Sequence, residues 1–461
     1  MTGLTEALAE FIHAKTLQDL PPDALEKAKK GIADTFAVIL AGVGSEVAPP
    51  LLRYVEQTGE SGASPILGSG RTASPEMAAL VNGTFGHALD FDDVLSMMPA
   101  HPSAVMLPAL FADPRAGKLS GRALIEAYII GVEVGGKLGL AITVGHYHRG
   151  FHGTGTLGIF SALSALAKRY RLDVATTQTA FGIAASLASG LQRNFGTMTK
   201  PLHTGWAARS ALAAVNLARS GFSAAPDILE ARAGFFAAYG VEASRPEAAL
   251  DRLGNPWVIV DPGLALKRFP CCYASHRGMD GVLHLRQCLG LNAENLERLA
   301  CRMPPGGMRV LIYSHPKTGL EGKFSLQYAL AAGVLDGQYS LWSFTDEAVN
   351  RPQICDLLKR IDVGEDPRCG GNDPLLETRS SGSRGFVEVE AVLTDGRRET
   401  VRVDHAPGHP SRELTWDDIS AKFMDCAAQA RIDSGHAQRA LSFLERLETC
   451  ADIGEVIALL Q

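Results

Sequence analysis

The hydrophobic positions in the first part of the chain recur with the spacing of an α-helix. After Pro21 and Pro22, apolar residues follow one another every three or four positions, as in Leu25, Ala28, Ile32, Phe36 and Leu40. The two prolines suit a helix start, because proline is tolerated where no helical N–H bond is lost. Period-two patterns typical of strands are scarce up to about residue 265. We therefore predict that this part of the chain is all-helical.

The pattern changes after Trp257. Three segments are predicted to be extended, namely Arg298 to Met303, Arg384 to Leu393 and Glu399 to Asp404. Thr394-Asp395-Gly396 predicts a hairpin turn between the last two, because glycine accepts a positive φ. Lys323 to Leu335 is predicted to be a helix, and helical spacing returns from Trp416 to Leu460.

These patterns predict a mostly α protein with a large all-helical domain and a smaller α+β domain. The helical domain is predicted to comprise residues 1–267 and 406–461, so that the tail rejoins the first part of the chain. The α+β domain is predicted to comprise residues 268–405. A length of 461 residues fits two or three domains, at about 150 residues each.

Charge and composition exclude several classes of partner. The 44 basic and 50 acidic residues give a net charge of −6 and form no basic block, which argues against nucleic acid as a partner. The apolar stretch from Ala123 to Gly145 contains Glu126, Glu133 and Lys137, which would be costly inside a bilayer. We predict a buried helix there and no membrane association.

The N-terminus and the cysteines indicate the compartment. The first residues show no basic region followed by an apolar run and a cleavage site, so we predict a cytoplasmic protein. Eight cysteines in a chain of this length fit reduced thiols. The adjacent pair Cys271-Cys272 lacks the spacing of redox or zinc motifs.

The segment from His87 to Pro102 is the first candidate for chemistry. Asp90, Asp92 and Asp93 cluster at a helix end, and His101 follows in a loop flanked by prolines. A carboxylate near an imidazole can raise the pKa of the imidazole and fix its tautomer, as a general acid requires. The alternative is that the aspartates are solvated helix-end charges and His101 is an ordinary loop residue. A cation site is a weaker hypothesis, because no fixed spacing of oxygen ligands accompanies the cluster.

A second segment, Gly145 to Gly158, contains three histidines, Tyr147 and five glycines. His148 and His152 are four residues apart, but the glycines between and after them argue against a zinc-binding helix. The Gly-Thr-Gly-Thr run could begin a helix that faces an anion, or it could be a close packing corner.

Two further segments place a lysine beside aromatic and turn-forming residues. They contain Lys200, within Asn194 to Arg209, and Lys267, within Leu266 to Arg277. A lysine in an apolar stretch can be partly desolvated and can then serve as a carboxylate anchor or a base, although most lysines are surface charges.

The order of these segments resembles that of the MmgE/PrpD family. The blocks occur along nearly the whole chain, as HALDFDD, HPSAVMLPAL, GFHGTGTLG, TKPLHTGWAAR, LKRFPCCYASH and HPKTGLEGKFSLQYALAAGVLDG. The family includes 2-methylcitrate dehydratases, cis-aconitate decarboxylases and an iminodisuccinate epimerase. The resemblance implies a helical domain with an α+β lid domain, a homodimer, and a site in the cleft between domains. It implies a small di- or tricarboxylate substrate, with neither a cofactor nor a metal.

The resemblance also implies the site residues. The predicted catalytic residues are Asp90, His101, Tyr147, His152, Lys200 and Lys267, and the predicted substrate-binding residues are Lys200, Lys267, Cys272 and Tyr328. The two lysines would bind carboxylates and stabilise the enolate-like charge that forms when an α-proton leaves. His101, oriented by Asp90, would transfer protons at carbon, with His152 as its counterpart, whereas Asp92 and Asp93 would be helix-end charges.

Departures from the family pattern bear on the reaction. The decarboxylase branch has Thr after DFDD and His soon after KRFP, where this chain has Val94 and Cys272. The chain also lacks the inserted loops of the longer dehydratases, and its NFGTMTK, GHY and PCCYASH blocks look closer to the epimerase branch. The sequence therefore predicts an epimerase or isomerase. The alternatives are a hydro-lyase, then a decarboxylase, or a non-catalytic relative that binds carboxylates.

Overall fold

A computed structural model describes residues 3–113, 117–370 and 384–461. The chain divides into two compact units. The first comprises residues 1–193, 199–266 and 415–461, and the second comprises residues 194–198 and 267–414. The mostly α fold with a smaller α+β part is confirmed.

The first unit is built from helices. In chain order up to residue 266 these are α1 (Leu4–Ala14), α2 (Pro22–Val43), α3 (Ala48–Thr58), α4 (Pro75–Ala88), α5 (Ser103–Phe111), α6 (Gly121–Ile142), α7 (Val144–His148), α8 (Gly153–Thr156), α9 (Gly158–Tyr170), α10 (Val174–Leu187), α11 (Thr199–Arg219) and α12 (Phe235–Tyr239). The predicted helix after Pro21 is α2, with Pro22 at its first turn. One short antiparallel pair, β1 (Ser64–Ile66) and β2 (Arg71–Ala73), departs from the prediction that this part is all-helical.

The predicted buried helix is α6. Glu133 accepts backbone hydrogen bonds from Gly254 (2.7 Å) and Val258 (2.6 Å), and Lys137 Nζ donates to the carbonyl of Asp251 at 2.7 Å. These partners explain how a buried apolar helix accommodates charged residues. Within the described residues, no single helix has the length and apolar character to cross a membrane, although α2 and α3 pass together as a pair bent by 86°.

The second unit packs helices against a four-stranded sheet. Its helices are α13 (His276–Leu289), α14 (Gly319–Gly322), α15 (Leu326–Asp336), α16 (Asp346–Val349) and α17 (Pro352–Leu358), and its strands are β3 (Leu296–Met303), β4 (Ile361–Glu365), β5 (Val387–Leu393) and β6 (Arg398–Val403). The strand order is β4-β3-β5-β6, with β3 and β4 parallel and the other pairs antiparallel.

The sheet confirms the predicted strands and adds one. Residues of β5 alternate between buried and half-buried, which gives the sheet one core face. Gly396 has a φ of 85° in the predicted turn between β5 and β6. The sequence pattern missed β4, which pairs with β3 in parallel, and a parallel partner carries no local turn signal.

The end of the chain returns to the first unit. It forms α18 (Trp416–Gln429), α19 (Ser434–Glu445) and α20 (Gly454–Leu459). Helix α18 packs along α2, where the Trp416 indole N–H donates to Glu26 at 2.6 Å. The first unit is therefore discontinuous in sequence.

Candidate active site

The end of α4 and the loop between α4 and α5 bring together four potential ligand side chains. Helix α4 ends at Ala88, and Asp90 turns the chain with a φ of 51°, in the left-handed region that few residues other than glycine adopt. As a result, ligand atoms of His87, Asp90, Asp92 and His101 all lie within 4.8 Å of one another.

His87 connects a carboxylate to a lysine. Its Nδ1 lies 2.8 and 2.9 Å from the two oxygens of Asp92, and a carboxylate only accepts, so Nδ1 is the donor. Its Nε2 lies 2.7 Å from Lys200 Nζ, which also forms an ion pair with Asp90 Oδ1 at 3.1 Å. Lys200, on α11, is only 4% exposed. The site therefore contains a buried ammonium group between a carboxylate and an imidazole.

His101 is oriented by a backbone carbonyl. Its Nδ1 lies 2.6 Å from the carbonyl oxygen of Asp93, whereas its Nε2 is 3.9 Å from Asp90 Oδ1. Because a carbonyl oxygen can only accept, Nδ1 carries a hydrogen and Nε2 is the atom that can exchange a proton. The main-chain carbonyl of Asp93 therefore orients His101, a role that was predicted for Asp90. Lys200 Nζ lies closer to Asp90 than His101 Nε2 does.

The prediction that Asp92 and Asp93 are solvated charges is wrong. Both are fully buried. Ser103 Oγ donates to Asp93 Oδ2 at 2.5 Å and lies 2.6 Å from the Tyr128 hydroxyl. Burial raises the pKa of Asp93 to about 8, and the nearby Asp92 adds to this effect.

His152 and His203 form a pair of imidazoles. Their Nδ1 atoms are 3.0 Å apart, a distance at which one ring donates and the other accepts. Burial, with Lys200 as a second cause, holds the pKa of His152 well below its usual range, and the same causes lower the pKa of His203 to about 4. The pair is therefore uncharged near neutral pH.

The Gly-Thr-Gly-Thr run after His152 forms α8 as a close packing corner. A Cβ at Gly153 would lie 2.8 Å from the carbonyl oxygens of Met98 and Pro99, and one at Gly155 would overlap the carbonyl oxygen of Ser189. This packing brings His152 next to the loop that carries His101, since the two ring centroids are 6.5 Å apart.

The predicted site residues fall into two groups. Asp90, His101, His152 and Lys200 come together within the first unit, where Tyr147 is half-buried on α7. Lys267, Cys272 and Tyr328 belong to the second unit, where Lys267 is fully buried. The Tyr328 hydroxyl donates to the carbonyl of Ser343 inside the core of that unit.

Three residues that lie beside the predicted ones were not predicted to be catalytic or substrate-binding. His87 and Asp92 are five residues apart on either side of a helix end, and His203 follows Lys200 by one helical turn. Each lies inside a block quoted above, HALDFDD or TKPLH, but their partners are set by how α4, α8 and α11 pack.

The cluster has the chemical type of a metal site, but it already contacts a cation. Two imidazoles and two carboxylates are ligands that divalent metal ions accept. Lys200 Nζ lies within 3.1 Å of both His87 and Asp90, so the ammonium group is the cation that these groups contact. The absence of a metal requirement stays a prediction.

A buried set of imidazoles, carboxylates and a lysine in a helical unit is typical of enzymes that transfer protons. The model of the MmgE/PrpD N-terminal domain matches residues 6–246, and that of the C-terminal domain matches residues 269–449. The chain belongs to the MmgE/PrpD family.

Three relatives of this chain carry the names of lyases. The chain is 29% identical over 474 residues to the cis-aconitate decarboxylase of Mus musculus, covering 100% of this chain and 94% of that one. It is 28% identical to the human cis-aconitate decarboxylase, with 100% and 95% covered. A probable 2-methylcitrate dehydratase of Saccharomyces cerevisiae is 22% identical, with 88% and 81% covered. The chain is thus a member of an enzyme family, and these relatives act by decarboxylation or dehydration.

Proposed function

We propose that this protein is a lyase that acts on a small tricarboxylate through an enolate-like intermediate. The observation that carries the proposal is the buried Lys200 ammonium group next to Asp90 and His87, with the uncharged His152–His203 pair beside it. A buried cation stabilises the negative charge that develops on a carboxylate when an adjacent carbon loses a substituent. An uncharged imidazole accepts the proton of a carbon acid.

Decarboxylation is the first candidate, supported by the similarity to cis-aconitate decarboxylases along the whole chain. In this reaction the bond to one carboxylate breaks, CO2 leaves, and the electron pair stays on the substrate as an enolate. Lys200 stabilises that charge, and protonated His101 gives the proton on Nε2 to carbon. The reaction consumes one proton for each CO2 released.

Dehydration is the second candidate, because Val94 and Cys272 replace the Thr and His that the resemblance associates with decarboxylases. Here neutral His152 takes the α-proton, and the imidazolium of His101 protonates the leaving hydroxyl group, so that water leaves. The two imidazoles have different surroundings, since His152 is paired with His203 and His101 faces Asp90. Such a difference suits one base and one acid.

The epimerase predicted from the sequence has less support. The relatives described above are decarboxylases and a probable dehydratase, so both lyase alternatives are better supported than inversion of a stereocentre. Epimerisation requires exchange of the α-proton with solvent and no loss of mass.

One experiment separates the three reactions. The purified protein is incubated in heavy water with cis-aconitate, citrate and 2-methylcitrate, and for the epimerase with iminodisuccinate. The masses of substrate and product are measured by mass spectrometry, and the released CO2 is trapped and quantified. We expect loss of CO2 or of water from at least one tricarboxylate. Deuterium incorporation without mass loss identifies an epimerase, and no change in any substrate contradicts the proposal.

A further inference from the structure

We propose that Lys422 is a positioning residue for the candidate active site and that it acts by holding the main chain of the loop from Asp90 to Asp93. The proposal rests on the proposed function, because the loop carries the carboxylates that contact Lys200 and His87. Lys422 contacts the loop at Phe91. Its effect is exerted through Phe91, the residue between Asp90 and Asp92.

Lys422 reaches the loop from α18. Its Nζ donates to the carbonyl oxygen of Phe91 at 2.8 Å and lies 3.7 Å from the centre of the Phe91 ring. On its other side, Nζ forms an ion pair with Asp34 Oδ1 of α2 at 2.7 Å. Both charged side chains are buried, with 4% and 0% exposure. One ammonium group therefore joins two helices and the backbone of the loop.

The loop has a conformation that needs such support. Asp90 has a φ of 51°, in the left-handed region, which is less favourable for a residue with a Cβ than for glycine. Strained backbone of this kind persists only where the surrounding structure fixes it. The carbonyl and the ring of the next residue, Phe91, both contact Lys422. We call the contacts of Lys422 with Phe91 and Asp34 the clamp, and this clamp lies next to the strained backbone of Asp90.

A purely structural role is the competing explanation. Burying an ion pair brings little net stability, because both charges lose their hydration, so packing alone does not require this pair. The same unit contains a matched example in Lys137, which is also buried and donates to the carbonyls of Asp251 and Arg252. Lys137 holds a different loop, one without residues of the histidine cluster.

The test compares three variants. Asp34→Asn with Lys422→Met removes the clamp without leaving an unpaired buried charge, Lys422→Arg keeps the donor and the charge, and Lys137→Met is the control. With the tricarboxylate that the wild type converts, we expect the double variant to lose about 10- to 100-fold in kcat, as small misplacements of catalytic groups do, with KM changed less than threefold. We expect Lys422→Arg to lose much less kcat than the double variant and Lys137→Met to keep wild-type kcat.

A crystal structure of the double variant provides a readout that needs no turnover. We expect φ of Asp90 to relax and the distance from Asp90 to Lys200 to increase. An inactive wild type counts against the proposed function, while this structural shift still supports the clamp. An unchanged loop overturns the clamp, and so does wild-type kcat in a double variant that circular dichroism shows to be folded. An equal loss of kcat in folded Lys137→Met also overturns it.

Discussion

Three imidazoles of the candidate site differ in the partner of Nδ1. In His87 the partner is the Asp92 carboxylate, in His101 it is the Asp93 carbonyl, and in His152 it is the ring of His203. A charged, a neutral and an aromatic partner stabilise the protonated ring to different extents. Neighbouring histidines can therefore perform different steps in one reaction.

The first prediction concerns the residues proposed to transfer protons and to bind carboxylates. We expect His101→Ala and Lys267→Ala each to lower turnover about a hundredfold or more, the usual range for loss of an acid–base or electrostatic group. Steady-state kinetics with the accepted substrate measure this, and His436→Ala, at an exposed histidine, is the control. Wild-type turnover in both variants would refute the assignment.

The second prediction concerns Asp93 and pH. An unfolded Asp titrates near pH 3.9, whereas burial raises the pKa of Asp93 in the folded protein to about 8. The stability contributed by the protonated carboxyl is therefore complete below about pH 4 and is lost as pH rises through about 8. We expect Asp93→Asn to unfold at a higher urea concentration than the wild type at pH 9, with the difference shrinking toward pH 5. Parallel pH curves for the two proteins would contradict this.

Part of the candidate site was predicted from the sequence for definite reasons. Asp90, His101, His152 and Lys200 were predicted because they occur in blocks with a recognisable order, and the structure brings them together. The burial of Asp92 and Asp93 could not be predicted in this way. Charges at a helix end are usually solvated, whereas Asp92 is buried against His87, and Asp93 is buried against Ser103, which in turn contacts Tyr128 of α6.

At the scale of elements, the contact between α4 and α11 sets the geometry of the site. His87 is on α4 and Lys200 is on α11, and the helices approach closely because glycines face each other. A Cβ at Gly83 would lie 2.8 Å from the Cα of Gly205, and a Cβ at Gly205 would overlap the carbonyl oxygen of Leu80. The 2.7 Å contact between His87 and Lys200 depends on this approach.

The third prediction tests this contact. We expect Gly205→Ala to force the two helices apart, to lower the free energy of unfolding by about 1–3 kcal/mol, as overpacking does, and to lower kcat as well. Thermal unfolding and kinetics measure the two effects. Gly44→Ala is the control, because the nearest atom to its Cβ would be 3.5 Å away. Equal stability of both variants would show that the contact tolerates a methyl group.

At the scale of the whole molecule, the two units differ in how their chain is connected. Apart from residues 194–198, the second unit is one continuous segment with its own hydrophobic core, whereas the first is completed only by residues 415–461. Helical spacing predicts that the tail rejoins the first unit, but it does not identify the partners of α18. Those partners, Asp34 and Phe91, are brought to α18 by tertiary packing, which the spacing of apolar residues along the sequence does not indicate.

The fourth prediction follows from this connection. We expect the fragment 267–414 to unfold cooperatively on its own, and the fragment 1–266 to be poorly folded, since Asp34 would lose Lys422 and a broken buried pair costs about 3–5 kcal/mol. Joining residues 415–461 to residue 266 through a short glycine-serine linker should restore folding. Circular dichroism and urea titration measure this, and cooperative unfolding of 1–266 alone would contradict it.

The discontinuous first unit also has a consequence during protein synthesis. The ribosome makes Asp34, Phe91 and the four-residue cluster long before it makes Lys422. Lys422 follows even residue 266 by roughly 150 residues, which takes on the order of 10–30 s at about 5–20 residues per second. During this interval the nascent chain exposes Asp34, which is buried in the folded protein, and the surface of α2 that α18 later covers. Chaperone binding to the growing chain should therefore peak before, and not after, the tail emerges.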